Sequence, residues 1–362
     1  MGNKAGRAGI IGAGILGRLT AYFLIELGWE VALFEEGPET PANSSFSPSY
    51  TAAGMLAPYC ELEYAEPIVV KLGVASFPIW ESVVKTVGGD VFYQREGSLV
   101  VAHQNDKNEF LRLKRAVEHF TSEPVMKQLK RDEIRECEPD VDPKISDGLF
   151  FPHEGQIDTG AIMRALSVHL KKNGATINFD TKAENPTPKK ITTAKGSFDF
   201  DCVVDCRGMG AKADLKNLRG VRGEVFRVNA PDVSFRRPVR LIHPRYPIYV
   251  VPRPNHDYII GATSIESEDL STVSVRGALE LLSALYSLSS GFSEARIMET
   301  ATQLRPAFLD NAPKIIYKGG LCRANGLFRH GFLASPMLAK LTAGMVAGGK
   351  IEAGFESIYE AV

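Results

Sequence analysis

Apolar and polar positions alternate in blocks that predict a strand, a helix and a second strand at the start of the chain. Ala8–Ile11 is a short apolar run of the kind buried in a sheet. Leu16, Leu19, Phe23 and Leu27 follow at helical spacing, and Gly28 stops the helix. Val31–Phe34 then reads as a strand ending at Glu35-Glu36. Residues 66–88 read as helical despite Pro78, residues 106–120 as a charged amphipathic helix, and residues 158–173 as a helix capped by Asp158 and stopped by Gly174. Strands are expected at 91–102, Ala175–Phe179, Cys202–Cys206 and Leu321–Ala324. A β-rich tract covers Val221–Val228, Val239–Ile242, Ile248–Pro252 and Tyr258–Ala262, before a helix over about 274–289. Ser335-Pro336 has the form of a helix start, with Ser as cap and Pro in the first position, running to about Ala347.

Composition narrows the classes. The chain has 362 residues, 44% hydrophobic and 23% charged, with a net charge of −1. These are values of a globular protein with a sizeable core, and the balance argues against nucleic acid as the main partner. Five cysteines at 60, 137, 202, 206 and 322 show no C-x-x-C spacing and read as buried thiols in a reducing compartment. No metal site is expected. Lys4 and Arg7 before the apolar Ala8–Gly17 imitate a short leader, but the stretch is better explained as strand and turn. Met1–Gly6 lacks the Ser or Thr of a myristoylation signal, and no apolar run is long enough for a membrane span, so a cytoplasmic protein is expected.

Gly12-Ala13-Gly14-Ile15-Leu16-Gly17 is a complete G-x-G-x-x-G between the first strand and helix. Gly12 permits the tight turn, Gly14 lets backbone approach a pyrophosphate, and Gly17 lets the helix pack closely on the sheet. The helix N-terminus offers free N–H groups and partial positive charge to the phosphates. Glu35, 18 residues past Gly17, stands where an acid accepts hydrogen bonds from an adenosine ribose. The register predicts a dinucleotide site without separating FAD from NAD. Ala52-Ala53-Gly54-Met55-Leu56 suits backbone lying against a planar ligand, or equally a loop covering the core.

Further segments follow in order: Asp205-Cys206-Arg207-Gly208, Arg219-Gly220-Val221-Arg222-Gly223-Glu224, Tyr249-Val250-Val251-Pro252-Arg253, Gly261-Ala262-Thr263, Leu304-Arg305-Pro306 and Asn325–Phe332. With the N-terminal motif, this set resembles the D-amino-acid oxidase superfamily of flavoenzymes, within it the glycine oxidases of the thiamine-pathway type, over nearly the whole chain. The resemblance implies an α/β (α+β overall) fold: a discontinuous Rossmann-like FAD-binding domain (1–85, 146–218, 300–362) with an inserted substrate domain built on an antiparallel sheet (86–145, 219–299). It implies FAD as cofactor, with Ala53, Gly54 and Met55 against the ring, Gly208 in the same site, and Gly331, Phe332 and Leu333 near the pyrimidine end. The helix from Ser335 would aim its positive end at the flavin N1 and O2. No cysteine stands in Thr302–Leu304, where related sarcosine oxidases attach flavin, so FAD is expected to be non-covalent.

Arginine suits an α-amino acid carboxylate because its planar fork binds both oxygens. Arg305 matches the family's carboxylate-binding arginine, Tyr249 its substrate-side tyrosine, and Arg329 a loop arginine near the flavin. The implied reaction is oxidative deamination of glycine or another small amine by hydride transfer from Cα to flavin N5. O2 reoxidation then gives H2O2, and the imine is hydrolysed or supplied to thiazole synthesis. Alternatives are a D-amino-acid dehydrogenase, a sarcosine-oxidase-like amine oxidase, or a non-catalytic flavin-binding protein. His243, Tyr246 and His330 lie near the expected site in sequence only. A homo-oligomer is also implied.

Overall fold

The computed structural model describes residues 5–184 and 186–360. Met1–Lys4, on which the lipidation and leader readings partly fall, lie outside the described residues. Arg7–Ile11 sits inside a seven-stranded sheet, pairing in parallel with Glu30–Phe34 and with Cys202–Asp205. Thr176–Asn178 extends one side, and Leu321–Asn325, Lys318–Lys314 and Tyr359–Glu360 extend the other. Only the hairpin between Lys314–Lys318 and Leu321–Asn325 is antiparallel in this sheet. Both faces are covered, which explains why the inner strands read as unbroken apolar runs. Helices Ile15–Glu26, Pro67–Val87, Thr159–Lys172 and Gly331–Val346 supply one face, through residues such as Leu19, Trp80, Leu166 and Leu338. Phe34, Ile191 and Phe200 pack on the other, under the hairpin Lys190–Asp199.

A second sheet has eight strands in the order Arg296–Ala307, Arg219–Asn229, Asp257–Gly261, Ile248–Arg253, Val239–Ile242, Ser98–Ala102, Asp147–Phe151 and Lys127–Lys130. It is antiparallel except where Val239–Ile242 runs parallel to Ser98–Ala102. Helix Val275–Leu288 buries Leu281, Leu285 and Leu288 against Phe226, Val250 and Ile260. Helix Lys107–Phe120 buries Phe110, Leu113 and Val117 with Val100 and Phe151. Met55–Leu56, Gly155–Ile157 and Tyr93–Gln94 form a small third sheet.

The last helix departs from expectation. It begins at Gly331, with His330 as its cap residue, and Ser335 and Pro336 lie inside it. Pro336 has no N–H for the carbonyl of Phe332, four residues back. The indole N–H of Trp80 donates to that carbonyl at 2.9 Å, and the Ser76 hydroxyl accepts from the Met337 N–H at 3.1 Å. The neighbouring helix thus fills the gap in the ladder, and tertiary packing overrides a local stop signal. Helix Pro67–Val87 has the length and composition of a membrane span. Here it is a core helix, with Val70, Leu72, Phe77, Trp80 and Val83 buried against its neighbours. All five thiols are free, four of them buried.

Candidate active site

Two helix N-termini open on one cavity of about 500 Å³ between the large sheets. Ile15–Glu26 begins beyond Gly14, and neither it nor Gly331–Val346 has an acidic residue in its first turn or a side-chain cap from its own N-cap residue. Neither helix carries an acid of its own in that turn, so its positive end still favours an anionic ligand, although Ser49 Oγ accepts from the Ile15 N–H at 3.0 Å at the first helix. A Cβ on Gly17 would stand 1.9 Å from the Gly12 carbonyl oxygen, so the turn and the helix pack at backbone distance. Gly17 lies behind the cavity, while Gly12, Gly14, Glu35, Ala53, Gly54, Met55, Gly208, Gly331, Phe332 and Leu333 line it. The Glu35 carboxylate accepts from the Ala13 N–H at 2.7 Å and the Gly37 N–H at 3.1 Å, holding the glycine turn.

Two arginines that sequence reasoning gave no role brace this end. Arg18 is buried in the first helix turns, donating from Nε to the Ala13 carbonyl at 2.6 Å and from Nη1 to the Ser167 hydroxyl at 2.6 Å. Arg253 donates to the Ala53 carbonyl, to the Ile157 carbonyl at 2.9 Å and to Gln156 Oε1 at 3.0 Å. It fixes the Ala53-Gly54-Met55 segment against the strand Gly155–Ile157. Burial pulls its guanidinium down to about 10, Asp158 opposing this and Arg227 adding to it.

The other end of the cavity carries Tyr249, Arg305, Arg329, Glu61 and His330. Tyr249 and Arg305 stand on strands separated by two others, whose glycines lie between them. A Cβ on Gly223 would meet Arg305 Cζ at 2.4 Å, and one on Gly261 would meet the Tyr249 hydroxyl at 2.5 Å. The two polar heads face each other across this glycine trough, close enough for each to shift the other's proton affinity. Arg305 Nη1 also donates to the Thr263 carbonyl at 3.0 Å. Burial and then Arg329 pull the Arg305 guanidinium down to about 10, against Tyr249 and Glu61. Its charge is under-compensated, the condition in which a carboxylate ligand gains most. Burial pushes the Tyr249 hydroxyl up, so it is a phenol at neutral pH.

Glu61 was not foreseen, because nothing in its local sequence marks it. Its carboxylate accepts from Arg329 Nη2 at 3.0 Å and faces His330 Nδ1 at 3.7 Å. Burial alone would raise it, but Arg329, His330 and Arg240 together hold it below the usual range. Burial brings His330 down to about 4, with Arg329 and Arg305 adding to this and Glu61 opposing, so its ring is neutral. His243 and Tyr246 stack on each other at 5.2 Å, and neither lines this cavity. Among the described residues no three His, Cys, Asp or Glu side chains are grouped as a metal site.

A glycine turn, two helix N-termini and a continuous cavity ending in a half-buried arginine–tyrosine pair make a site for a dinucleotide beside a small anionic ligand. The pattern of the FAD dependent oxidoreductase family, DAO, matches residues 7–345, and the chain belongs to that family. A Rhizobium etli protein named as a thiamine biosynthesis oxidoreductase, ThiO, is 37% identical over 91% of this chain and 92% of its own length. Glycine oxidase of Geobacillus kaustophilus is 26% identical over 93% of this chain and 92% of its own. The crystal structure of iminodiacetate oxidase from Chelativorans sp. BNC1 superposes with a TM-score of 0.85 at 22% identity, covering 98% of this chain and 99% of that one. The protein is thus an FAD-dependent oxidoreductase, similar over nearly its whole length to these relatives.

Proposed function

We propose that the protein oxidatively deaminates glycine or a similarly small amino acid or amine, consuming O2 and water and releasing oxoacid, ammonia and H2O2. The observation that carries this reading is the Tyr249–Arg305 pair, laid over Gly223 and Gly261 at one end of the cavity. FAD fits the residues present: the Gly12–Gly17 turn and the two helix ends suit its diphosphate and ring, and when bound, non-covalently, it supplies the hydride acceptor that O2 later reoxidises. Gly12, Gly14, Glu35 and Gly208 would hold its nucleotide side, and Ala53, Gly54, Met55, Gly331, Phe332 and Leu333 its ring side.

Arg305 takes the substrate carboxylate on its fork and Tyr249 donates to the same group. Clamping that end fixes the direction of the Cα–H bonds and so contributes to rate by orientation. Arg329 and Glu61, paired, shape the wall beside it. No side chain here needs to act as general base: His330 is a weak one, and the ammonium proton leaves to solvent as the substrate binds. The imine hydrolyses, or is taken on for thiazole formation in thiamine synthesis, as the name of the Rhizobium etli relative suggests. The division of labour follows the two large sheets, nucleotide on the parallel one and substrate on the antiparallel one.

A panel of amino acids tests this with the FAD-loaded protein. Glycine should bleach the flavin's visible band in the absence of air and yield H2O2 stoichiometrically in air. Reduction without peroxide would favour a dehydrogenase. No bleaching by any small amine would remove the reading.

A further inference from the structure

At the substrate end of the cavity, two guanidinium groups face one carboxylate. Arg305 and Arg329 both line it, and Glu61, 6% exposed, is the acid among them. Glu61 comes from the turn after the short strand Met55–Leu56, whereas Arg329 and His330 come from the loop leading into the last helix. The chain therefore brings a carboxylate from far away in sequence to meet Arg329 at 3.0 Å, inside a pocket with little water to screen it.

We propose that Glu61 sets the charge of the substrate: by pairing with Arg329 it leaves Arg305 as the carboxylate anchor, so amino monocarboxylates are accepted and amino dicarboxylates are turned away. The inference rests on the amino-acid oxidase reading above and names the substrate class within it.

A small zwitterion places one carboxylate on Arg305 and needs nothing of Arg329. A molecule with a carboxylate on each side of its amine brings a second anion to the wall formed by Arg329, Glu61 and His330. Arg329 is already paired there, and the Glu61 carboxylate repels the newcomer. His330 offers no help. Its Nδ1 faces Glu61 at 3.7 Å, which favours the tautomer with the proton on that nitrogen. Its Nε2 is buried without a hydrogen-bond partner and is then an acceptor, not a cation. Neutralising Glu61 reverses the balance, because Arg329 then faces the cavity with its charge less compensated. Selection works here by an unfavourable contact against the wrong ligand as much as by a favourable one to the right ligand.

The test uses FAD-loaded protein, kcat/KM for glycine and for iminodiacetate, and binding of glycolate and diglycolate read from the flavin absorbance. In Glu61→Gln the iminodiacetate-to-glycine ratio of kcat/KM should rise roughly tenfold or more, with diglycolate binding tightened in parallel. Glu61→Asp, which keeps the charge, should retain the original preference. In the unmodified protein diglycolate should bind no tighter than glycolate. An unchanged ratio in folded, FAD-loaded Glu61→Gln overturns the proposal. So does diglycolate binding roughly tenfold tighter than glycolate in the unmodified protein, a measurement that needs no variant. Should the unmodified protein oxidise neither amine, the functional reading falls, while the glycolate and diglycolate affinities still judge Glu61.

Discussion

The two ends of the cavity are built on opposite principles. The end proposed for the nucleotide is made of backbone: the Gly12–Gly17 turn, two helix N-termini without acidic first turns, and the small residues Ala53 and Gly54. The end proposed for the substrate is made of side chains carrying charge, with Glu61 and His330 buried and Arg305 and Arg329 half-buried beside them. Backbone dipoles are fixed once the helices form, so they bind an anion at little further cost in order. Buried charges must be neutralised by neighbours, and each is exposed to loss when its partner goes. The first end should thus respond to changes of space, the second to changes of charge and acidity.

The largest effect expected is at the charged end. Arg305→Met should lower kcat/KM for glycine by roughly 10²–10³-fold or more, the loss of a charged hydrogen-bonded pair worth about 3–5 kcal/mol, while FAD remains bound. Steady-state kinetics beside the flavin spectrum checks this, and unchanged kinetics would dissolve the contrast between the ends. Gly17→Val attacks the other end by volume alone. Its Cβ has only 1.9 Å to the Gly12 oxygen, so the helix must move, costing about 1–3 kcal/mol of stability and most of the FAD affinity. Thermal melting and a flavin titration read both losses.

Acid should act at the charged end first. His330 is held near 4 in the fold against 6.5 when unfolded, so the unfolded chain binds the extra proton between those values. Stability from this group is complete above about pH 6.5 and is lost as pH falls toward 4. Glu61, held below its ordinary value, carries the same trend further down. Denaturant unfolding against pH checks the sign, and His330→Gln should flatten the upper part of the slope. Tyr249→Phe removes one hydroxyl donor and should raise KM for glycine by roughly fivefold, about 1 kcal/mol, with a smaller change in kcat. The smallest effect on activity lies in the scaffold. Trp80→Phe leaves the Phe332 carbonyl unpaired beside Pro336 and should cost about 1–2 kcal/mol, read by thermal melting with glycine kinetics little changed.

What could be read in advance follows the same division. The strand, glycine turn, helix and acid of residues 8–35 are contiguous, and their hydrophobic period declares the sheet and its nucleotide-facing turn directly. The strand Arg296–Ala307 is different: it holds Arg305 and spans 12 residues, yet its sequence RIMETATQLRPA shows no clean alternation. Residues facing a polar cavity break the period that marks a strand, so the functional element is the least legible one. The last helix failed for another reason. Ser335-Pro336 is a sound local start signal, but Trp80 and Ser76 on the adjacent helix supply the hydrogen bonds that let the helix run through it.

By itself the sequence determined the fold class, the nucleotide motif, the family resemblance and the arginine and tyrosine to which that resemblance attaches roles. These depend on near neighbours in the chain or on motifs in a fixed order. Only the tertiary structure decided that Gly223 and Gly261 clear the space between Arg305 and Tyr249, that Arg253 braces Ala53, and that Glu61 meets Arg329 from 268 residues away. The reason is physical: burial and pairing of charge are properties of distance in space, and no periodicity along the chain encodes which distant carboxylate will be brought to a buried cation.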